Sequence, residues 1–131
     1  MGKFTFRKEE RLKKEKDIQE LFTKGSSFYL FPYKVLFTLN RNPGISCHQI
    51  LISVSKRHFK RATDRNKIKR RIRESYRLHK QVLTPEPKII IGFVYTHKEI
   101  LHWEEIERKM LQALQKIPKL HAGKMTGPKQ S

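Results

Sequence analysis

Apolar residues recur along this chain with two different spacings. Spacings of three and four residues predict helices over 17–24, from about Asp64 onward, and from Trp103 to Pro118. Alternation, or a short continuous apolar run, predicts strands over 33–40, 48–55 and 88–95. The order helix, two strands, helix, strand, helix indicates an α+β fold, arranged as a two-layer α-β sandwich with a small sheet.

The 131 residues are predicted to form one domain with a short tail. Residues 1–118 hold the whole predicted fold, and residues 1–14 are expected to be loosely ordered because they are polar and basic. The closing helix is expected to end at Pro118. Residues 119–131 contain Gly, Pro and Lys and are predicted to be a disordered basic tail.

The second helix combines a narrow apolar stripe with a high density of positive charge. Between Lys56 and Lys80 the chain has twelve Lys or Arg and two acids. The stripe consists of Ile68, Ile72, Tyr76 and His79, at intervals of four, four and three. At about 100° per residue, the opposite side then carries Asn66, Lys69, Arg70, Arg73, Arg77 and Lys80. Thr63 or Asp64 is predicted to cap this helix.

The placement of these cations indicates an extended polyanion as the ligand. The first two turns carry Arg65, Lys67, Lys69 and Arg70, where the helix dipole already places partial positive charge. An anion stabilises such cations, and phosphate binds well at a helix N-terminus. We therefore interpret the helix as a nucleic-acid-binding surface, with a solvated cationic face as the simpler alternative. Arg65 projects near the edge of the apolar stripe, so contact with RNA and a structural role are both open.

Composition agrees with a polyanionic ligand and argues against a membrane or secreted protein. The formal net charge is +18 and the pI is about 10.3, which favours encounter with polyanions. No apolar run approaches the ~20 residues of a membrane span, and the N-terminus has no apolar stretch typical of a secretory signal. The single Cys47 cannot form an internal disulfide. We expect a cytoplasmic protein with no membrane association and no obligate protein partner.

The sequence shows no pattern typical of self-sufficient catalysis. The twelve acids are scattered, without the close pairs that hold catalytic Mg²⁺. The six histidines lack zinc-binding spacing, and there is no glycine-rich phosphate loop. The sequence therefore predicts no catalytic residue, no metal site and no cofactor bound by the protein itself.

A specific run of residues spans the second strand and the basic helix. It reads Ser53-Val54-Ser55-Lys56-Arg57, then Arg65-Asn66-Lys67-Ile68-Lys69-Arg70, then Arg73-Glu74, Tyr76 and Arg77. Upstream it is accompanied by Arg11-Leu12-Lys13-Lys14, Asp17, Phe22 and Gly25. These residues resemble the protein subunit of bacterial ribonuclease P, over roughly residues 11–117. Lys67 departs from the family pattern, which has Arg there, and Ile18 stands where an aromatic residue is common.

The resemblance implies a function and a fold. In that family the enzyme removes the 5′ leader from precursor tRNA, its catalytic RNA requires Mg²⁺, and the protein assists that RNA. The expected partners are therefore the catalytic RNA subunit and the single-stranded leader of precursor tRNA. The implied fold is similar to domain 2 of ribosomal protein S5, with a small mixed sheet. Its β-α-β crossover around the basic helix is left-handed, against the general preference for right-handed crossovers.

The resemblance also implies two sets of site residues. The catalytic RNA is expected to dock on a basic surface that comprises Lys56, Arg57, Lys60, Arg61, Arg65, Asn66, Lys67, Lys69, Arg70, Arg73 and Arg77. The leader is expected to lie in a cleft between the first helix and the sheet, lined by Ile18, Phe22, Val35 and Phe37. Phe22 and Phe37 would offer sequence-tolerant stacking there, although both also suit an ordinary core.

Two other classes of protein share some of these features. A ribosomal protein with a purely structural role has similar charge, size and fold class. That class does not explain the pattern of Arg65-Asn66, Lys69-Arg70 and Arg73-Glu74 on one helix. A helix-turn-helix DNA-binding protein would place another helix shortly before the recognition helix, whereas a strand and a basic loop precede it here.

Overall fold

A computed structural model describes the backbone of residues 8–126 and the side chains of residues 8–118. Its helices are α1 (Glu15–Lys24), α2 (Ala62–His79) and α3 (Trp103–Thr126). Its strands are β1 (Ser26–Leu30), β2 (Tyr33–Leu39), β3 (Gln49–Val54) and β4 (Ile89–Tyr95). The α+β prediction is confirmed, and each predicted strand lies within one residue of its observed limits.

The four strands form one mixed sheet in the order β1-β2-β4-β3. β1 and β2 are antiparallel, as are β2 and β4, while β3 and β4 run parallel. A parallel pair requires a crossover connection, and α2 supplies it between β3 and β4. The small mixed sheet is thus as predicted, and the left hand of this crossover stays a prediction.

Strand alternation divides the apolar residues between the two faces of the sheet. One face packs against α2 and α3 and holds the larger core, which includes Val35 and Phe37. The opposite face packs against α1, and its smaller core includes Leu21 and Leu36. β4 is apolar on both sides because both of its faces are covered.

The sequence pattern does not predict β1. This strand follows α1 after a single residue, Gly25, so no turn signal separates the two elements. Gly25 permits the close junction, because a Cβ at this position would lie 2.4 Å from the Leu21 carbonyl oxygen. Phe28 lies opposite Val35 in the ladder and packs against the larger core, which makes β1 part of the folded unit.

The N-terminal segment is part of the fold from at least residue 8. Glu10 and Leu12 are buried, and the Leu12 N–H donates to the Ile50 carbonyl at 2.8 Å. This bond adds the segment to the outer edge of β3. The expectation that residues 1–14 are loosely ordered is therefore wrong for the part that is described, while residues 1–7 lie outside the described residues.

Two predicted helix limits are also wrong. α2 begins at Ala62 with Arg61 as its N-cap, so Thr63 and Asp64 lie inside the first turn. α3 continues through Pro118 to Thr126, because a proline removes a single helix hydrogen bond while the preceding apolar turns stay packed on the core. Residues 119–126 are thus helical rather than a disordered tail, and residues 127–131 lie outside the described residues. Neither α3 nor any other described helix has the length and apolar character that a membrane span requires.

His48 joins the start of β3 to the start of β4. Its Nδ1 accepts the Ile89 N–H at 3.0 Å, so its Nε2 carries the proton and donates to the Thr84 carbonyl at 2.8 Å. Burial lowers the pKa of His48 below its ordinary value of 6.5. The Thr84 carbonyl opposes this shift, Lys88 adds to it, and the carboxylates of Glu86 and Glu10 oppose it weakly. The neutral ring is therefore part of the folded structure.

We expect the free energy of unfolding to fall as the pH drops below about 6.5. In that range the unfolded chain binds a proton at His48 that the folded chain does not, so protonation favours unfolding. Above about 6.5 the stabilising contribution of His48 is fully present. Chemical unfolding measured at a series of pH values should show this loss in the wild type and a flatter profile in His48→Gln. Identical profiles for the two proteins would contradict the role of His48.

Candidate nucleic-acid interface

α2 turns its apolar stripe toward the core, as predicted. Ile68, Ile72 and Tyr76 are each at most 1% exposed and belong to the core between the sheet and α3. His79, at the end of the stripe, is half-buried, and its Nε2 lies 3.1 Å from Glu107 Oε2 on α3. Because one side of α2 is buried, its opposite side projects cations outward.

The basic surface lies on α2 and on the loop before it. Its exposed residues are Lys56, Arg57, Lys60, Arg61, Asn66, Lys67 and Arg70. Its half-buried residues are Arg65, Lys69, Arg73 and Arg77. The two acids of the segment pair locally: Asp64 lies 3.4 Å from Arg61, and Glu74 lies 2.7 Å from Arg77. Positive charge therefore exceeds negative charge over the surface, and Arg77 is its most neutralised member.

Arg65 organises the loop that leads into α2. Its Nη1 donates hydrogen bonds to the carbonyl oxygens of Phe59 at 2.7 Å and Lys60 at 3.0 Å. Ser55 fixes the other side of the loop, since its hydroxyl accepts the Arg57 N–H at 3.0 Å and its carbonyl accepts the Phe59 N–H at 3.1 Å. Of the two roles left open for Arg65, these bonds favour the structural one.

Arg11 joins the basic surface from a distant part of the sequence. With Lys69 and Arg73 it lines a groove of about 180 Å³ along β3, and no acidic side chain among the described residues lines that groove. Burial, and then the charges of Arg11 and Arg70, lower the pKa of Arg73. A bound anion would relieve this repulsion. Sequence reasoning missed Arg11 as a site residue because no local signal shows that the N-terminal segment meets α2.

Two further cations close to this surface hold the fold together. Lys80, which the helical pattern places on the outward side, lies 2.7 Å from Oε2 of the buried Glu10. Arg71 donates through Nη1 to the Leu101 carbonyl at 2.7 Å and so links α2 to the segment before α3. Substitution of Lys80 or Arg71 is therefore expected to disturb folding, and neither is suited to a test of RNA contact.

Two residues assigned to the predicted cleft lie in the core instead. Val35 is 0% exposed and Phe37 is 2% exposed, on the sheet face that α2 and α3 cover. Their place in a cleft beside α1 is wrong, because alternation along β2 turns Leu36 rather than Val35 or Phe37 toward α1. The other two predicted residues lie on α1, where Ile18 is half-buried against the smaller core and Phe22 is 47% exposed.

α1 covers only part of its face of the sheet. Leu21 lies over Gly92, where a Cβ would come 2.9 Å from the Leu21 side chain. The next row of the ladder toward the end of the sheet pairs Lys34 with Val94 and Val94 with Ser53. In this row, which we call the open strip, Lys34 is exposed and the other two side chains are half-buried. Of the predicted cleft residues, Phe22 thus stays accessible on this side, and the open strip is the accessible surface in place of Val35 and Phe37.

The arrangement offers cations and hydrogen-bond donors to a polyanion. Guanidinium and ammonium groups bind phosphate, and an exposed amide such as that of Asn66 can bond ribose 2′-hydroxyl groups. Exposed aromatic rings such as Phe22 can stack on bases. Within residues 8–118, no group of three or more His, Cys, Asp or Glu side chains is placed to hold a metal ion.

Comparison with known proteins relates the chain to one family. Residues 6–118 match the family model described as Ribonuclease P. A ribonuclease P protein component from Porphyromonas gingivalis strain W83 is 34% identical over 119 residues, covering 87% of this chain and 87% of the relative. Another from Dictyoglomus turgidum is 40% identical over 91 residues, covering 70% of this chain and 73% of the relative.

Solved structures agree with the sequence comparison. The RNase P protein of Staphylococcus aureus superposes with a TM-score of 0.68 at 30% identity, covering 84% of this chain and 95% of that chain. The RNase P protein of Thermotoga maritima superposes with a TM-score of 0.69 at 28% identity, covering 82% of this chain and 96% of that chain. This chain belongs to the family of bacterial ribonuclease P protein components.

Proposed function

We propose that this chain is the protein subunit of a ribonuclease P holoenzyme and assists a catalytic RNA in endonucleolytic removal of the 5′ leader from precursor tRNA. The observation that carries the proposal is the basic surface on α2. It presents exposed Lys and Arg side chains on one side of a helix whose other side is buried. The protein then acts by binding and positioning RNA, and the cleavage chemistry belongs to the RNA.

In this proposal the Mg²⁺ belongs to the RNA, and the protein binds no cofactor of its own. Two RNA molecules that meet at a cleavage site repel each other through their phosphates, and bound cations reduce that repulsion. A protein surface with fixed positive charge has the same effect locally. The holoenzyme should therefore need less free Mg²⁺ than the catalytic RNA alone.

The catalytic RNA is proposed to contact the exposed part of the basic surface. Arg70 projects from α2 as a phosphate ligand, and Asn66 on the same side offers its amide to ribose hydroxyls. The groove beside Arg11 is proposed to hold a further phosphate between three cations. Arg65 acts indirectly, because its hydrogen bonds position the loop that carries other basic residues.

The leader is proposed to follow the open strip, with Phe22 beside it on α1. Lys34 supplies a cation on the sheet, and Phe22 supplies an exposed ring for stacking. Ile18 packs against the smaller core and so holds α1 on the sheet; it is not itself a stacking partner. This assignment keeps the expected location between α1 and the sheet and keeps Phe22, while the open strip takes the place of the buried Val35 and Phe37.

The direct test is leader cleavage by a bacterial ribonuclease P RNA at low Mg²⁺, with and without this protein. We expect the protein to raise the cleavage rate strongly. A structural RNA-binding protein would bind RNA tightly in a salt-sensitive manner and leave that rate unchanged. The cytoplasmic location stays a prediction from the sequence.

A further inference from the structure

Three ring-bearing side chains gather at the end of the sheet where β1 and β4 finish. We call Tyr29, Phe31 and His97 the aromatic shelf. Tyr29 is 59% exposed and Phe31 is 37% exposed. The rings of Phe31 and His97 meet edge to face with their centroids 4.9 Å apart, and the Tyr29 hydroxyl lies 3.3 Å from Thr96 Oγ1. His97 is half-buried, and Thr96, which Tyr29 meets, directly precedes it in the chain, so the shelf joins two exposed rings to one half-buried ring.

Hydrogen bonds hold the backbone beneath the aromatic shelf. The Pro32 carbonyl accepts the Thr96 N–H at 2.9 Å and the Thr96 hydroxyl at 3.1 Å, which links the β1–β2 turn to the segment after β4. The Tyr95 hydroxyl donates to the Glu99 carbonyl at 2.6 Å and accepts the Leu101 N–H at 3.1 Å. A ligand that stacks on the shelf therefore meets rings on a fixed backbone, and little ordering is required on binding.

The charge around the shelf selects the class of ligand. Lys34 lies directly opposite Tyr29 in the ladder, and Lys98 follows His97; both lysines are exposed. One acid is close, since Glu99 Oε1 lies 3.9 Å from His97 Nε2. A chain of net charge +18 repels a second copy of itself and attracts a polyanion. Aromatic rings beside cations are the combination that binds single-stranded nucleic acid.

The position of the shelf connects it to the other two surfaces. Tyr29 stands in the same row of the ladder as Lys34 and Val94, so it forms the β1 end of the open strip. β3 finishes beside β4, with Val54 opposite Tyr95, and the loop of the basic surface leaves from this same end. β1 and β3 are three strand spacings apart, about 14 Å. A single RNA strand that crosses the end of the sheet would therefore reach both.

We infer that the aromatic shelf stacks on bases of single-stranded RNA, at a site separate from the RNA-docking side of α2. The inference rests on the proposed function only in taking RNA as the ligand. Stacking on Tyr29 and Phe31 is tolerant of sequence because every base presents a π-face. The shelf extends the path of a bound strand beyond the open strip.

The test compares a short single-stranded oligoadenylate with an abasic strand of the same length, using the protein alone. Tyr29→Ala with Phe31→Ala should raise the dissociation constant for oligoadenylate about tenfold and leave that for the abasic strand unchanged. Tyr29→Phe keeps the ring and should bind as the wild type does. Val82→Ala is the control, because Val82 is a 36% exposed apolar residue just beyond the C-terminal end of α2. Tyr29→Ala alone, at a 59% exposed position, should show part of the effect with the fold intact.

The inference is wrong if the double variant binds oligoadenylate as tightly as the wild type does. It is also wrong if the double variant loses affinity equally for oligoadenylate and for the abasic strand. Self-association of the wild type, lost in the double variant and seen by sedimentation, would instead assign the shelf to contacts between copies. If the shelf does not bind bases, the expected stimulation of leader cleavage by the protein is unaffected. Failure of the proposed function would leave the difference between the two strands in place, so the two failures are distinguishable.

Discussion

Replacing both Arg70 and Arg73 by alanine is expected to weaken binding to a bacterial ribonuclease P RNA by on the order of a hundredfold at low salt. A hydrogen bond to a charged group contributes roughly 1.5–3 kcal/mol, so the loss of two such arginines is a large effect. The fold should be retained, because Arg70 is exposed and Arg73 has Arg11 and Arg70 as its charged neighbours, together with Glu74. Filter binding and thermal unfolding of the same preparations would measure both quantities.

The same variant should show a shallower dependence of affinity on salt. A wild-type protein that engages ~6 phosphates gives a slope near −4 on a log–log plot, and removing two contacts reduces its magnitude by about 1.4. The control is Lys16→Ala with Arg108→Ala, which removes the same charge from exposed positions on α1 and α3. Equal losses in the two double variants would show that net charge, and not the basic surface, determines binding.

Phe37→Ala is expected to destabilise the protein rather than to remove a contact with the leader. Phe37 is 2% exposed, and its ring packs against that of Phe28 with centroids 6.2 Å apart. Truncation of a buried Phe costs about 3–5 kcal/mol, against a total of about 5–15 kcal/mol for a domain. The midpoint of thermal unfolding should therefore fall by on the order of 10 °C.

Phe22→Ala makes the same chemical change at a position that is 47% exposed. Its effect on the free energy of unfolding should stay within about 0.5 kcal/mol. The holoenzyme that contains this variant should prefer precursor tRNA over mature tRNA about fivefold less strongly, because one stacking ring is lost. The opposite pattern, a stable Phe37→Ala variant that loses this preference and an unstable Phe22→Ala variant, would return Phe37 to the leader site.

Most of the fold was accessible from the spacing of apolar residues. The buried strand over 88–95 and the stripe of Ile68, Ile72 and Tyr76 are strong local signals, and the structure places both in the core. β1 gave no such signal, because it follows α1 without a turn and its exposed Tyr29 lies between the inward-facing Phe28 and Leu30, so polar and apolar residues do not alternate along it. Its pairing with β2 depends on contacts that a local pattern does not contain.

The two ends of the fold show the limits of composition as a guide. The segment before α1 is rich in charge, yet Leu12 enters the smaller core and Glu10 is buried in an ion pair with Lys80. Charge alone does not distinguish a solvated segment from one whose partner lies far along the chain. Pro118 likewise marks a loss of one hydrogen bond, and the helix on either side of it continues.

The two predicted sites differ in how much the sequence reveals. The basic surface follows from one helix, because the positions of Ile68 and Ile72 determine which side faces outward. The cleft depends on which face of the sheet α1 covers. Alternation separates Val35 and Phe37 from Leu36, but it does not say which set meets α1. Arg11 was missed for a related reason, since its neighbours are supplied by β3 and α2.

The measurement that tests the central claim most directly is cleavage of the 5′ leader from a precursor tRNA by a bacterial ribonuclease P RNA at low Mg²⁺. The reaction is run without protein, with the wild type, with Arg70→Ala plus Arg73→Ala, and with Lys16→Ala plus Arg108→Ala. We expect a large rise in rate with the wild type and with the Lys16 and Arg108 control, and no rise with the Arg70 and Arg73 variant. No rise with the wild type, together with tight and salt-sensitive binding to ribosomal RNA, would contradict the proposal and assign the chain a structural role.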